Sequence, residues 1–133
     1  MACSKGQPEW GLHLAEDLEK IRVLQDPSTV AAVIIEPVTG SGGVIVPPVG
    51  YLERIREICT KHDVLLIFDE VITAFGRLGD SFAAHRFNVR PAIITMAKGL
   101  TSAVIQMSAV AFDTALYDQL MEGPEAMIEL FHG

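Results

Sequence analysis

Cysteine is scarce in this chain, basic residues are outnumbered, and no apolar run is long. The two cysteines, Cys3 and Cys59, are too few for a disulfide framework and have no zinc-site spacing. Cys59 falls among helical apolar positions and reads as a small buried residue. Ten Lys and Arg face seventeen Asp and Glu, a formal net charge of −7, and no basic cluster stands out. Such a chain gains little from counterion release, which argues against a nucleic-acid partner. The longest apolar runs, such as Val64 to Phe68, fall far short of a bilayer span. Met1 to Trp10 have neither the basic start nor the apolar stretch of a signal peptide. These absences point to a cytoplasmic protein with no membrane partner.

What is present is a globular composition: 133 residues, half of them hydrophobic, with Gly and Pro spaced as turns. Residues 11–25 carry Leu14, Leu18, Ile21 and Leu24 at helical intervals, and Asp26-Pro27 ends that pattern. Val30 to Ile35 is a continuous apolar run, which reads as a strand covered on both faces. A glycine loop, Gly40 to Gly43, precedes a helix over about 50–62 with Leu52, Ile55, Ile58 and Cys59 inward. Val64 to Phe68 forms a second strand. A helix is expected near 79–87, and Ala92 to Met96 forms a third strand. A fourth, Val104 to Phe112, follows a short turn, with a helix from Thr114. Strands alternating with helices predict an α/β fold with a mostly parallel sheet. The connection between strands three and four is too short for a crossover, so that pair is expected to be antiparallel.

Three ionisable residues stand at or just past strand ends: Glu36, Asp69 and Lys98. Parallel strands would bring them to one rim, the edge where open α/β sheets bind ligands. A lysine beside low-dielectric strands can supply a neutral amine as nucleophile or base. Charged residues also end strands simply because the chain is reaching solvent there. Geometry alone therefore leaves the function open.

The local words around these residues are more specific. Ile35-Glu36-Pro37-Val38 with Gly40-Ser41-Gly42-Gly43, and then Pro47-Pro48-Val49-Gly50-Tyr51-Leu52, resemble the class III (omega) aminotransferases. So do Leu66-Ile67-Phe68-Asp69-Glu70-Val71-Ile72-Thr73 with Phe75-Gly76-Arg77, and Ala97-Lys98-Gly99-Leu100-Thr101. Order and spacing both match through nearly the whole chain. The flanks are most similar to the omega-amino acid:pyruvate (β-alanine:pyruvate) branch. This resemblance implies the large domain of a fold-type I enzyme dependent on pyridoxal 5'-phosphate. Residues 1–133 would be the central part of that domain, with the small domain and the N-terminal part absent.

By the same resemblance, Lys98 holds the cofactor as a Schiff base and then moves a proton between the substrate Cα and the cofactor C4′. Asp69 pairs with the pyridine nitrogen, and Val71 packs on the ring face. Glu36 lies near the site and, in several relatives, pairs with an arginine that admits the substrate carboxylate. Thr73 and Arg77 read as structural. The implied reaction is transamination between an omega-amino acid or amine and pyruvate or another keto acid, in a homodimer. The histidines, His13, His62, His85 and His132, carry no ligand pattern, so no metal is expected.

The chain departs from the family pattern at several points. Ala74 stands where glycine is usual, Ala92 replaces an aspartate, and Ser102-Ala103-Val104-Ile105-Gln106-Met107-Ser108 runs where relatives tend to have glycine, proline and glycine. The alternative is a non-catalytic fragment or pseudoenzyme that keeps the cofactor-binding words. A nucleotide-binding α/β domain is disfavoured, because the glycines at 40–43 give neither phosphate-loop spacing.

Overall fold

The computed structural model describes residues 6–122. Its sheet contains β1 (Ala32–Ile35), β2 (Leu65–Asp69), β3 (Ile93–Met96) and β4 (Ala109–Phe112), in that spatial order. β1 and β2 are parallel, as are β2 and β3, while β4 returns antiparallel to β3. The mostly parallel sheet and its antiparallel fourth strand are thus as the sequence predicts.

Helix α1 (Asp17–Leu24) follows a 3-10 turn at Leu12–Glu16, and α2 (Tyr51–Lys61) links β1 to β2. The short α3 (Ala83–Arg86) lies between β2 and β3, and α4 (Thr114–Met121) follows β4. The core forms where α2 lays Leu52, Ile55 and Cys59 against Leu66 and Phe68 of β2, with Ala15, Ala84 and Val89 closing its edges. In β2 Leu66 and Phe68 are buried while their neighbours are half-buried, the period-two pattern of a pleated strand. Polar contacts brace α1 against α2. Glu19 takes Lys61 Nζ at 2.8 Å and His62 Nε2 at 2.6 Å, and Arg54 grips Glu16 with two nitrogens. Lys61 and, secondarily, His62 hold the Glu19 carboxyl below its ordinary value, against the opposing effect of desolvation.

Four expectations need correction. The stripe on the first helix is right in period but not in burial, since Leu14, Ile21 and Leu24 are exposed and only Leu18 reaches the core. β1 is not covered on both faces, for Ile34 is 62% exposed. The helix expected near 79–87 shrinks to Ala83–Arg86, after a turn segment rich in positive φ at Phe75, Gly76 and Gly79. The fourth strand begins at Ala109, not Val104. Ser102 and Ala103 both have positive φ, and Thr101 Oγ1 donates to the Ile105 carbonyl at 2.6 Å. Those features turn the chain, so an apolar run of good strand composition becomes loop. Residues from Gly123 onward, including His132, lie outside the described residues.

Candidate active site

Register decides how the three strand-end residues meet. Ile35 of β1 pairs with Phe68 of β2, so Glu36 and Asp69 each stand one step further along adjacent parallel strands. Asp69 in turn pairs with Thr95 of β3, and the chain leaves β3 at Met96, two residues before Lys98. All three therefore project from the carboxyl edge of the parallel part of the sheet, the edge where ligands bind in such folds.

Each has a distinct local setting. Asp69 Oδ1 accepts from the Val71 backbone N–H at 3.1 Å and from Thr95 Oγ1 at 3.2 Å. Among the described residues Oδ2 accepts no hydrogen bond, so one oxygen fixes the carboxylate and the other keeps its acceptor capacity. Lys98 opens a single 3-10 turn, Lys98–Leu100, with a positive φ of 39°. Its side chain is exposed and makes no ion pair or hydrogen bond among the described residues. Such left-handed backbone is uncommon in a Cβ-bearing residue. Val71 is half-buried and follows directly on the Asp69 side chain through its N–H. Glu36 is also half-buried, and its Oε2 accepts from the Gly40 N–H at 2.8 Å, closing the start of the glycine loop. A Cβ on Gly40 would lie 2.5 Å from Ile72 Cδ1, so glycine lets that loop approach the segment after Asp69.

Two residues escape a sequence reading. Thr95 is an ordinary strand threonine until register sets its hydroxyl beside Asp69. Glu70 looks like the twin of Asp69 but is fully buried. Its Oε2 accepts from the Ala83 N–H at 2.6 Å and Thr73 Oγ1 at 3.3 Å, and its Oε1 from the Ala84 N–H at 2.9 Å. Thr73 is correspondingly buried, whereas Arg77 is exposed. No group of three or more His, Cys, Asp or Glu able to hold a metal occurs among the described residues. The apolar groove lined by Leu65, Ile93, Val110, Phe112, Leu116 and Leu120 includes none of the four candidates.

A carboxylate oxygen and an amine on one rim, both without partners among the described residues, suit a cofactor with a basic ring nitrogen and a carbonyl. The sequence comparison agrees with that chemistry: the family model for class III aminotransferases matches residues 3–132. The chain belongs to the class III aminotransferases. It is 63% identical over 131 residues to an omega-aminotransferase of Caulobacter vibrioides, covering 98% of this chain and 30% of that protein. It is 49% identical over 136 residues to a beta-alanine–pyruvate aminotransferase of Pseudomonas aeruginosa, covering all of this chain and 30% of that one. Among solved structures, an amine transaminase from an uncultivated Pseudomonas species, in its PLP-bound internal aldimine form, superposes with a TM-score of 0.84 at 41% identity. That match covers 91% of this chain and 27% of the other. The aminotransferase chain therefore spans about 30% of the length of the curated relatives it matches.

The departures from the family words sit unevenly in this frame. Ala74 is buried, and Ala92 keeps its place beside the sheet, donating to the Leu66 carbonyl and accepting from the Asp113 N–H. Ala103, by contrast, occupies a backbone with φ 65° that favours glycine.

Proposed function

We propose that this chain carries the cofactor-anchoring core of a pyridoxal-phosphate-dependent transaminase. In the full-length protein it would exchange the amino group of an omega-amino acid or amine with pyruvate or another keto acid. The observation that carries the reading is the shared rim of Asp69 and Lys98, set by the β2–β3 register. Bound there, pyridoxal phosphate would supply an electron sink for the bond broken at the substrate carbon. Asp69 would hold a proton on the ring nitrogen with Oδ2 while Val71 N–H and Thr95 Oγ1 hold Oδ1. Lys98 Nζ would hold the cofactor covalently and carry the proton taken from the substrate Cα. Val71 would pack on the ring, and Glu36 would border the substrate side. The amine donors and acceptors named for the relatives support the omega-amino and pyruvate classes. A homodimer in the cytoplasm fits the reading; among the described residues no helix is long and apolar enough to cross a membrane.

The experiment is a comparison of the full-length protein with its Lys98→Ala variant. The parent should show visible absorbance with pyridoxal phosphate, and borohydride should fix the cofactor on Lys98. The variant should lose both. Equal absorbance and trapping in Lys98→Ala would refute the assignment, and trapping without amino transfer would favour the non-catalytic alternative.

A further inference from the structure

Burying an ionised carboxylate is costly unless its oxygens are satisfied. Glu70 is fully buried, and no Lys, Arg or His pairs with it among the described residues. Its satisfaction comes entirely from one short piece of chain. Thr73 Oγ1 meets it from the start of the segment after β2, and the Ala83 and Ala84 N–H groups meet it from the end. The Glu70 backbone is fixed as well: its N–H donates to the Thr95 carbonyl and its own carbonyl accepts from the Ala74 N–H. One side chain thus closes residues 73–83 into a loop rooted beside Asp69.

What this loop carries makes the closure matter. Phe75, at φ 60°, donates its N–H to the Ser81 carbonyl at 2.7 Å, which pins the loop across its middle. The Phe75 side chain lies against the open face of Gly99. A Cβ on Gly99 would be 3.0 Å from Phe75 Cβ and 3.2 Å from Cδ2. Gly99 follows Lys98 in the single turn that presents the amine. Phe75 also packs on Phe82, with ring centroids 5.7 Å apart, one residue before the N–H groups that Glu70 binds. The contacts form a continuous chain: Glu70 to Ala83, Phe82 to Phe75, Phe75 to the lysine turn.

We infer that Glu70 is a positioning residue of this site, acting through the closed 73–83 loop to set the Lys98 turn from behind. The inference rests on the proposed role of Lys98. Glu70→Gln keeps the size of the side chain but puts an NH2 against a backbone N–H, whichever way the amide turns. The effect belongs to amine geometry and not to substrate affinity. In the folded, cofactor-loaded full-length protein, kcat should therefore fall by about tenfold to a hundredfold, the loss typical of a small misplacement. KM should stay within about twofold, since uniform binding is untouched. The pH midpoint of the visible absorbance of the cofactor held on Lys98 should also shift.

Phe75→Ala tests the same path without touching the buried carboxylate. It should lower kcat and move the midpoint in the same direction, and the double variant should lose little more than Glu70→Gln alone. An unmoved midpoint with normal kcat in folded Glu70→Gln would overturn the inference, as would fully multiplicative losses in the double variant. Should Glu70→Gln fail to fold, Phe75→Ala decides: unchanged midpoint and rate overturn it. Lys98→Ala separates the two levels. If that variant keeps the visible absorbance, the site reading itself fails; if it loses it while Glu70→Gln behaves normally, only the positioning role fails.

Discussion

Replacing Thr95 with valine removes one hydrogen bond to Asp69 and almost nothing else. The two side chains share a shape, and valine is at home in a strand whose neighbour at this position is Val110. The bond lost is Thr95 Oγ1 to Asp69 Oδ1 at 3.2 Å, long for an O–H···O contact. Bonds to a charged acceptor are worth ~1.5–3 kcal/mol, but a half-buried, stretched one belongs at or below the bottom of that range. A loss of about 1 kcal/mol corresponds to roughly a fivefold slower chemical step if Asp69 must be held still for its full effect. The Val71 N–H remains as a second restraint at 3.1 Å, so the loss should not approach that of Asp69→Asn. The assay is the single-turnover rate of amino transfer from donor to cofactor in the full-length protein, with cofactor affinity measured in parallel. The expected order is parent, then Thr95→Val lower by about two- to tenfold, then Asp69→Asn far lower. A Thr95→Val variant as slow as Asp69→Asn, or indistinguishable from the parent, would refute the argument that the two donors share the work of orienting this carboxylate.

Two further expectations concern stability. Ala103→Gly should stabilise the full-length protein, because φ 65° costs a Cβ-bearing residue ~1 kcal/mol or more, offset in part by glycine's greater unfolded-state freedom. A rise in denaturation midpoint, with Ala103→Val falling below the parent, is the expected pattern; a lower midpoint for the glycine variant would contradict it. The Glu19 contacts set an acid limit on the α1–α2 brace. Lys61 first, and then His62, hold the folded carboxyl below its ordinary value of 4.5. A depressed folded pKa means that the stabilisation is present above the unfolded value and is lost as pH falls through the folded one, hence below 4.5. Glu19→Gln should flatten the acid limb of a stability–pH curve in that window; an unchanged limb would show that the brace contributes nothing there.

Where sequence and structure agree, a single physical pattern runs uninterrupted through the segment. Val64 to Phe68 is apolar, is followed by charge and is preceded by a helix with a clear inner face, and all of that survives as β2 and α2. Lys98 and Asp69 stand out because each follows such a run and lies in a word shared with the class III aminotransferases. Val104 to Ser108 are loop: composition favours a strand there while backbone conformation, set at Ser102 and Ala103, does not. Nothing in the residue types announces two successive positive φ angles when neither is glycine. Leu14, Ile21 and Leu24 recur at helical intervals yet are exposed, with no apolar cover among the described residues. Thr95 could be found only from register, a relation between strands and not within one.

Asp69 and Glu70 carry this lesson furthest, since two adjacent carboxylates become opposites through the strand's two-sidedness alone. Successive side chains leave a strand on opposite faces. Asp69 ends β2 half-buried at the rim, with Oδ1 tied and Oδ2 without a partner among the described residues. Glu70 turns inward, where both of its oxygens are consumed by Thr73, Ala83 and Ala84. The first has one oxygen without a partner among the described residues; the second is fully buried with a partner on each oxygen. Their environments, not their residue types, assign the roles, as with other paired acids in enzyme sites. Moving the chain by one residue would bury Asp69 and expose Glu70. The register that pairs Asp69 with Thr95 therefore decides at once which acid stands at the rim and which one turns inward to Thr73, Ala83 and Ala84.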